Sequence, residues 1–177
     1  MAMPVTYELT PEELFCLEGC RTYPLYVLMR NNFERNVCTF CELNRDLNQV
    51  IWEDELAVCW TVPQSLMREE LAQHFIIIPK RHVRFESELS DDEVLAIHVA
   101  KKILASSFDI PGGMIATRFG DMRLNAGTVP HLHSNIMVPS GISEVRIPIL
   151  KEPADREKNI TRARAFAKRY EAGEAPN

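Results

Sequence analysis

Short runs of apolar and β-branched residues, broken by polar segments, occupy the middle of the chain. Runs of about four to eight such residues between turn residues are typical of β-strands. Six segments fit this description, and the last is the weakest: 49–52, 56–62, 74–78, 114–119, 131–138 and 145–150. Only residues 53–55 separate the first two segments, so we expect these two to form a hairpin.

One segment carries the pattern of a long amphipathic helix. Ser90 and Glu93 form a capping box, in which each side chain bonds the backbone of the other residue. An apolar stripe at helical spacing follows them, formed by Val94, Leu95, Ile97, Val99, Ile103 and Leu104. This pattern predicts the main helix of the protein, with its end near Phe108.

The two ends of the chain also carry helical signals. Residues 10–13 form a helix-start pattern, which predicts a helix of about ten residues through Cys16 and Cys20. The charged segment 153–172 predicts a terminal helix, whereas the apolar cluster in 23–36 is too short to assign. Strands and helices that alternate with hairpin-like links indicate an α+β fold with a mostly antiparallel sheet.

Composition narrows the classes of protein that the chain can belong to. The 177 residues are 46% hydrophobic and 25% charged, which suits one globular domain with appendages. A net charge of -5 makes a broad nucleic-acid-binding face unexpected, although a local basic pocket is compatible with this net charge. The sequence has no signal-peptide layout and no apolar run of membrane-spanning length, so we expect a cytoplasmic protein without a membrane partner.

Three polar side chains share one face of the predicted strand 131–138. Because side chains alternate along a strand, His131, His133 and Asn135 point to the same side. Burying them without partners would be costly, so this face is either exposed to solvent or part of a functional site. The spacing favours neither interpretation over the other.

Cys38 and Cys41 form a Cys-x-x-Cys pair in a predicted turn, and two thiolates at this spacing can bind one zinc ion. A closed site needs two further ligands, and His82 and His131 are candidates because ligands need not be close in sequence. Two alternatives remain open. The cysteines could be reduced without a metal, or form a thioredoxin-like redox pair if residues 42–46 begin a helix.

The segments CTFC, HFIIIPKRH and NAGTVPHLHSNIMVP occur in this order, and together they resemble the histidine triad superfamily. The resemblance covers residues 37–139 and implies an antiparallel sheet with one long helix, often in a homodimer. It divides the chain into a histidine-triad-like domain at 37–140, an N-terminal helical extension at 1–36 and a C-terminal strand and helix extension at 141–177. We expect the three parts to form a single compact unit.

The resemblance also implies roles for individual residues. The second histidine of the motif, His133 here, attacks the α-phosphorus of a nucleotide and forms a covalent nucleotidyl-histidine. Four protein ligands close the shell of a structural zinc ion, and the matching residues are Cys38, Cys41, His82 and His131. Phosphate oxygens are held by the loop before the motif, here Asn125, Gly127 and Thr128. Apart from the resemblance, Arg118 and Arg123 flank this loop and are candidates for phosphate binding, because guanidinium matches phosphate geometry.

Two positions depart from the superfamily pattern. The third triad position is Asn135, and a neutral amide neither supplies a proton nor carries a charge. This favours nucleotidyl transfer or phosphorolysis over hydrolysis, because the transferase branches carry glutamine there. The acidic residue that binds the ribose is replaced by Thr61, which can make one hydrogen bond to the sugar.

These residues predict an enzyme, a nucleotidyl transferase or nucleotide hydrolase that acts on a small nucleoside phosphate derivative. Two alternatives belong to other classes of protein. One is a catalytically weak or inactive nucleotide sensor of the same fold, and the other is a zinc-stabilised interaction protein. The base, the leaving group and the acceptor do not follow from the sequence.

Overall fold

The fold is described from a computed structural model over residues 17–125, 127–147 and 153–176. The described residues form four α-helices: α1 (Tyr23–Glu34), α2 (Asp91–Ser107), α3 (Met122–Asn125) and α4 (Pro153–Glu171). They also form one sheet of β1 (Gln49–Glu53), β2 (Ala57–Thr61), β3 (Leu71–Pro79), β4 (Met114–Arg118) and β5 (His133–Pro139). Two single 3-10 turns lie at Leu17–Gly19 and Glu86–Glu88.

All neighbouring strands run antiparallel, in the order β1-β2-β3-β5-β4. The predicted hairpin is β1–β2, and the predicted α+β class is confirmed. After β3 the chain passes through α2, forms the edge strand β4, and then inserts β5 between β3 and β4. The end of β3 at Pro79 therefore lies beside the start of β5 at His133.

Helix α2 covers one face of the sheet, over β1, β2 and β3. The core on this face includes Cys59, Phe75, Ile77, Ala96, Ile97, Ala100 and Leu104. The predicted capping box and helix end are confirmed. The buried stripe is rotated from the predicted one, because Leu95 is exposed whereas Ala96 and Ala100 are buried. Small alanine side chains let the helix approach the sheet, so the largest apolar residues did not mark the buried face.

An ion pair between a buried carboxylate and an exposed arginine joins α2 to the segment that follows β3. Arg81 donates to the Glu93 carboxylate from Nε at 3.0 Å and from Nη2 at 2.7 Å, and the Ser90 N–H donates to it at 2.8 Å. Burial alone raises the pKa of Glu93, but these donors outweigh burial and hold the pKa below its ordinary value. This ion pair anchors Arg81, which directly precedes His82, to the first turn of α2.

The described parts of the two terminal extensions pack against each other. Tyr23 and Tyr26 of α1 lie against Phe166 of α4, with ring centroids 5.7 Å apart in both pairs. The Tyr23 hydroxyl donates to the backbone carbonyl of Glu174 at 2.9 Å. Helix α1, which the apolar pattern left unassigned, begins after its capping residue Thr22 and is stabilised by burial of these aromatic rings.

Strand β5 begins at His133, two residues later than predicted. His131 turns toward the cysteines, and the Leu132 N–H donates to the Val83 carbonyl at 2.8 Å instead of joining the sheet. Strand β3 begins at Leu71, three residues earlier than predicted. The short helix α3 occupies part of a segment that the sequence predicted to be a loop.

The predictions for the two ends of the chain fall partly outside the described residues. Residues 10–16 of the predicted N-terminal helix lie outside them, and Cys20 follows a single 3-10 turn and is not helical. Residues 145–147 are not in a strand, and 148–150 lie outside the described residues. The terminal helix is confirmed as α4. A search of the described helices finds none with the length and apolar character to cross a membrane.

Candidate active site and metal cluster

Cys38 and Cys41 lie in the turn after α1, while His82 follows β3 and His131 precedes β5. Nδ1 of His131 lies 3.7 Å from the Cys38 sulfur and 3.6 Å from the Cys41 sulfur. Nδ1 of His82 lies 3.2 Å from the Cys41 sulfur. The four ligand atoms all lie within 4.8 Å of one another, so the fold brings the four residues of the predicted set together.

A backbone contact of His131 decides which ring nitrogen faces the sulfurs. Its Nε2 lies 2.9 Å from the carbonyl oxygen of Pro79, which can only accept, so we assign the ring proton to Nε2. Nδ1 then directs its lone pair at the two sulfurs. A neutral imidazole held in this way by a backbone carbonyl is the usual state of a metal-binding histidine.

The donor set suits a tetrahedral metal ion. Metal–sulfur bonds of about 2.3 Å and metal–nitrogen bonds of about 2.0 Å give sulfur–nitrogen edges of roughly 3.5 Å, close to the three separations above. A hydrogen bond from the Cys41 thiol, helped by His131, lowers the pKa of Cys38, and the same bond raises the pKa of Cys41. The cluster could hold a metal ion.

Phe40, between the two cysteines, contacts both His131 of this cluster and His133 of β5. Its ring packs edge-on against His131 and His133, with centroid distances of 5.9 and 5.2 Å. Residues 42–48 contain turns, a bend and unassigned backbone, instead of the helix that a thioredoxin-like pair needs after its second cysteine. The described geometry therefore favours the metal interpretation of the pair over the redox one.

His133 is buried at the start of β5, with 7% of its surface exposed. Its Nδ1 lies 2.6 Å from the carbonyl oxygen of His131, so the ring proton belongs on Nδ1 and Nε2 keeps its lone pair. Burial lowers the pKa of His133 to about 4, although the hydrogen bond to His131 acts in the opposite direction. The ring is therefore neutral at pH 7, which is the nucleophilic state of imidazole.

A cavity of about 540 Å³ opens beside His133, and small-molecule sites typically enclose about 300–1,000 Å³. Its floor is the sheet face opposite α2, with Trp60, His74, Ile76, Ala116, Arg118, His133, Asn135 and Met137. Helix α1 and the cysteine turn add apolar side chains, including Leu25, Leu28, Met29, Phe40 and Leu43. A polar floor beside an apolar wall suits a ligand with an anionic part and an aromatic part.

Asn135 lies on the same face of β5 as His133 and is held by the strands on both sides. His74 of β3 donates from Nε2 to its side-chain oxygen at 3.0 Å, and its amide nitrogen donates to the Ala116 carbonyl of β4 at 3.3 Å. Burial lowers the pKa of His74 despite the bond to Asn135, so this ring is neutral too. The place of His74 in the site did not follow from the sequence.

Only part of the predicted phosphate loop faces the cavity. Gly127 and Thr128 line it, but Asn125 does not. Asn125 donates to the Phe119 carbonyl and accepts from the Gly127 N–H, both at 2.7 Å. The Gly127 N–H is therefore engaged within the loop, and the direct phosphate contact of Asn125 stays a prediction. Asn125 shapes the loop, and Arg118 donates to its backbone carbonyl while lining the cavity.

Thr61 does not line the cavity, whereas Trp60 and Val62 on either side of it do. Alternate residues of an extended segment face opposite sides, so Thr61 faces away from this cavity, and its contact with a sugar stays a prediction. Trp60 is 2% exposed and packs against Phe40 with a centroid distance of 5.3 Å. Trp60 therefore belongs to the core as well as to the cavity wall.

Two arginines that the sequence analysis did not single out also line the cavity. Arg21 directly precedes the cap of α1, and Arg68 lies in the connection between β2 and β3. Neither belongs to a motif or to a periodic pattern. Only the folded arrangement shows that they share a cavity with Arg118.

No protein-family model and no curated protein matches the chain. Solved structures do match it. The histidine triad nucleotide-binding protein from Candida albicans has a TM-score of 0.52 at 18% identity, over 77% of this chain and 98% of that one. A hypothetical protein from Leishmania major has a TM-score of 0.50 at 20% identity, over 74% and 96%. The chain therefore has the fold of these proteins.

Proposed function

We propose that this protein is a nucleotide-processing enzyme of the histidine triad superfamily, in which His133 attacks the α-phosphorus of a nucleoside phosphate derivative. The observation that carries the proposal is the orientation of His133. Its Nδ1 proton is bonded to the His131 carbonyl, so Nε2 holds the lone pair beside a cavity of nucleotide size. The shared fold and the three sequence segments support the same assignment.

In the first step, a bond forms between His133 Nε2 and the α-phosphorus, and the bond from phosphorus to the leaving-group oxygen breaks. The electron pair of the broken bond stays on that oxygen. Nδ1 keeps its proton, and its bond to the His131 carbonyl stabilises the positive charge that develops on the ring. Arg118 is the register partner of His133 on β4, and its guanidinium offsets charge on the phosphate oxygens.

In the second step, an oxygen of water or of phosphate attacks the phosphorus of the adduct. The nitrogen–phosphorus bond breaks, and its electron pair returns to Nε2. When water attacks, its proton passes to solvent. When phosphate attacks, it is already an anion and needs no such proton transfer. Asn135 supplies no proton to either step, which favours transfer to phosphate over hydrolysis.

The cluster of Cys38, Cys41, His82 and His131 would hold a zinc ion in a structural role. Zinc bound there would fix the cysteine turn against the start of β5 and would have no open position for water. The reaction steps therefore belong to the side chains of the chain itself. His131 links the two sites, because its ring faces the sulfurs and its carbonyl bonds His133.

The adduct is the direct test of this function. Wild-type protein is incubated with dinucleoside polyphosphates carrying adenine, guanine, cytosine or uracil, quenched at alkaline pH, and digested with trypsin. We expect the peptide 124–146 to gain the mass of a nucleoside monophosphate, lost again in acid, and fragmentation to assign it to His133. Absence of both adduct and turnover with all four bases would refute the proposal.

A nucleotide sensor of the same fold is the second candidate, and the engaged amide of Asn135 favours it. Its oxygen and nitrogen are already bonded to His74 and to the Ala116 carbonyl. A sensor would bind nucleotides without forming the adduct, and His133→Ala would leave the affinity nearly unchanged. Calorimetric titration of the wild type and of His133→Ala with a non-hydrolysable nucleotide measures the two affinities. Equal affinities together with the absence of an adduct identify the sensor.

We further propose a homodimer formed through α2 and the edge strand β4. Among the described strands, β4 pairs only with β5, and its outer edge is open. Exposed apolar side chains lie on both elements, namely Val94, Leu95, Met114 and Ile115. We expect Leu95→Glu with Ile115→Glu to shift the sedimenting species from dimer to the 20.3 kDa monomer, while Lys168→Glu on the exposed face of α4 does not. A monomeric wild-type protein at micromolar concentration would contradict this.

A further inference from the structure

Three guanidinium groups line the cavity that contains His133. Arg21 comes from the segment before α1, Arg68 from the β2–β3 connection and Arg118 from β4. Arg118 stands opposite His133 in the β4–β5 register, and side chains of such a pair are neighbours on one sheet face. Three separate parts of the chain thus bring positive charge to the place where the proposed reaction occurs.

The three arginines are close enough to affect one another. Burial, and then the charges of Arg68 and Arg162, lower the pKa of Arg21. Burial, and then the charges of Arg21 and Arg68, lower the pKa of Arg118. Bringing like charges together in a partly desolvated wall costs free energy, and a bound anion would offset that cost.

The carboxylates of the cavity offset this charge only in part. Glu70 pairs with Arg68 at 3.1 Å, and Arg68 also donates to the Arg146 carbonyl at 2.6 Å. Glu69 is the other carboxylate in the cavity wall. Among the described residues, no salt bridge engages Arg21, so its guanidinium is available to a ligand.

We propose that Arg21, Arg68 and Arg118 form an anion subsite for the phosphates of the leaving group, so that the preferred substrates are nucleoside polyphosphates. The inference rests on the proposed function and specifies its substrate class. One guanidinium group can donate two parallel hydrogen bonds to phosphate oxygens. Three such groups therefore suit a chain of phosphates better than a single phosphate group.

The subsite also explains how the reaction proceeds without an acid at the third triad position. When the bond between the α-phosphorus and the bridging oxygen breaks, the electron pair stays on the bridging oxygen. The departing group is then a polyphosphate anion, whose added charge is stabilised by the arginines and needs no proton from the protein. Asn135, which cannot supply a proton, is compatible with this leaving group and not with a basic amine.

Steady-state kinetics with two substrates test the subsite. One substrate is a dinucleoside tetraphosphate, and the other is the p-nitrophenyl ester of the same nucleotide, whose leaving group has no phosphate. We expect Arg21→Ala to lower kcat/KM for the tetraphosphate by about 10- to 100-fold and for the ester by less than about threefold. Arg21→Lys should restore part of the loss, and Arg35→Ala, which removes an exposed ion pair with Glu42, should change neither value.

Binding of inorganic tripolyphosphate gives a readout that does not depend on turnover. We expect calorimetry to detect its binding to the wild-type protein and a loss of at least about tenfold in Arg21→Ala and Arg21→Gln, with the metal content unchanged. If the wild type binds tripolyphosphate but turns over neither substrate, the subsite is supported and the proposed enzymatic function is refuted. No binding by the wild type, or an equal fall for both substrates, would overturn the subsite.

Discussion

Replacing His133 with alanine is expected to lower kcat/KM on a nucleoside polyphosphate by roughly four orders of magnitude. The change removes the Nε2 lone pair that forms the bond to phosphorus, and no other described histidine of the cavity is oriented in the same way. His74 is engaged with Asn135 through its Nε2, and His131 directs Nδ1 at the sulfurs. Single-turnover kinetics with rapid quench measure the loss.

His98→Ala is the matched control for this variant, because His98 is an exposed histidine of α2 and lies on the other side of the sheet. It should retain wild-type kinetics. Asn135→Ala should fall between the two, by about 10- to 100-fold, since it removes hydrogen bonds beside the reacting phosphate. If folded His133→Ala with a normal metal content kept more than about a tenth of the activity, another residue would be the nucleophile.

The parts of the site that could be predicted from the sequence are those carried by short motifs. Cys38 and Cys41 are close in sequence, and His131 and His133 occupy one segment, so the resemblance to the histidine triad pattern could assign them metal-binding and nucleophilic roles. The strand-length apolar runs gave the hairpin, and the Ser90 capping box gave the start of α2. These features depend on residues that are close together in the chain, so the sequence alone is enough to predict them.

The partners of these residues could not be predicted, because they depend on strand register and on contacts between distant segments. His74 and Asn135 are 61 residues apart and meet only because β5 inserts next to β3. Arg21 reaches the cavity because α1 packs beside it, and no pattern in the sequence encodes that contact. Thr61 was assigned by its position along the strand, but the face it occupies depends on a one-residue register.

Cys41→Ser is expected to lower the free energy of unfolding by more than about 3 kcal/mol and to reduce bound zinc to below about half an ion per chain. The Cys41 sulfur lies within 3.6 Å of Nδ1 of His131 and 3.2 Å of Nδ1 of His82, so its loss opens the proposed ligand shell. Denaturant titration measures the stability, and mass spectrometry of the purified protein measures the metal.

Glu42→Gln is the control for the same turn, because it removes an exposed ion pair with Arg35 while both cysteines stay in place, and it should cost less than about 1 kcal/mol. Activity should fall in Cys41→Ser in step with the folded fraction, since the carbonyl that orients His133 belongs to His131. A wild-type protein with little zinc and unchanged stability after chelation would contradict the structural metal. Loss of activity in Cys41→Ser without loss of stability would instead indicate that the metal takes part in the reaction. That outcome would contradict a structural metal, because four protein ligands leave no open position for a substrate or water.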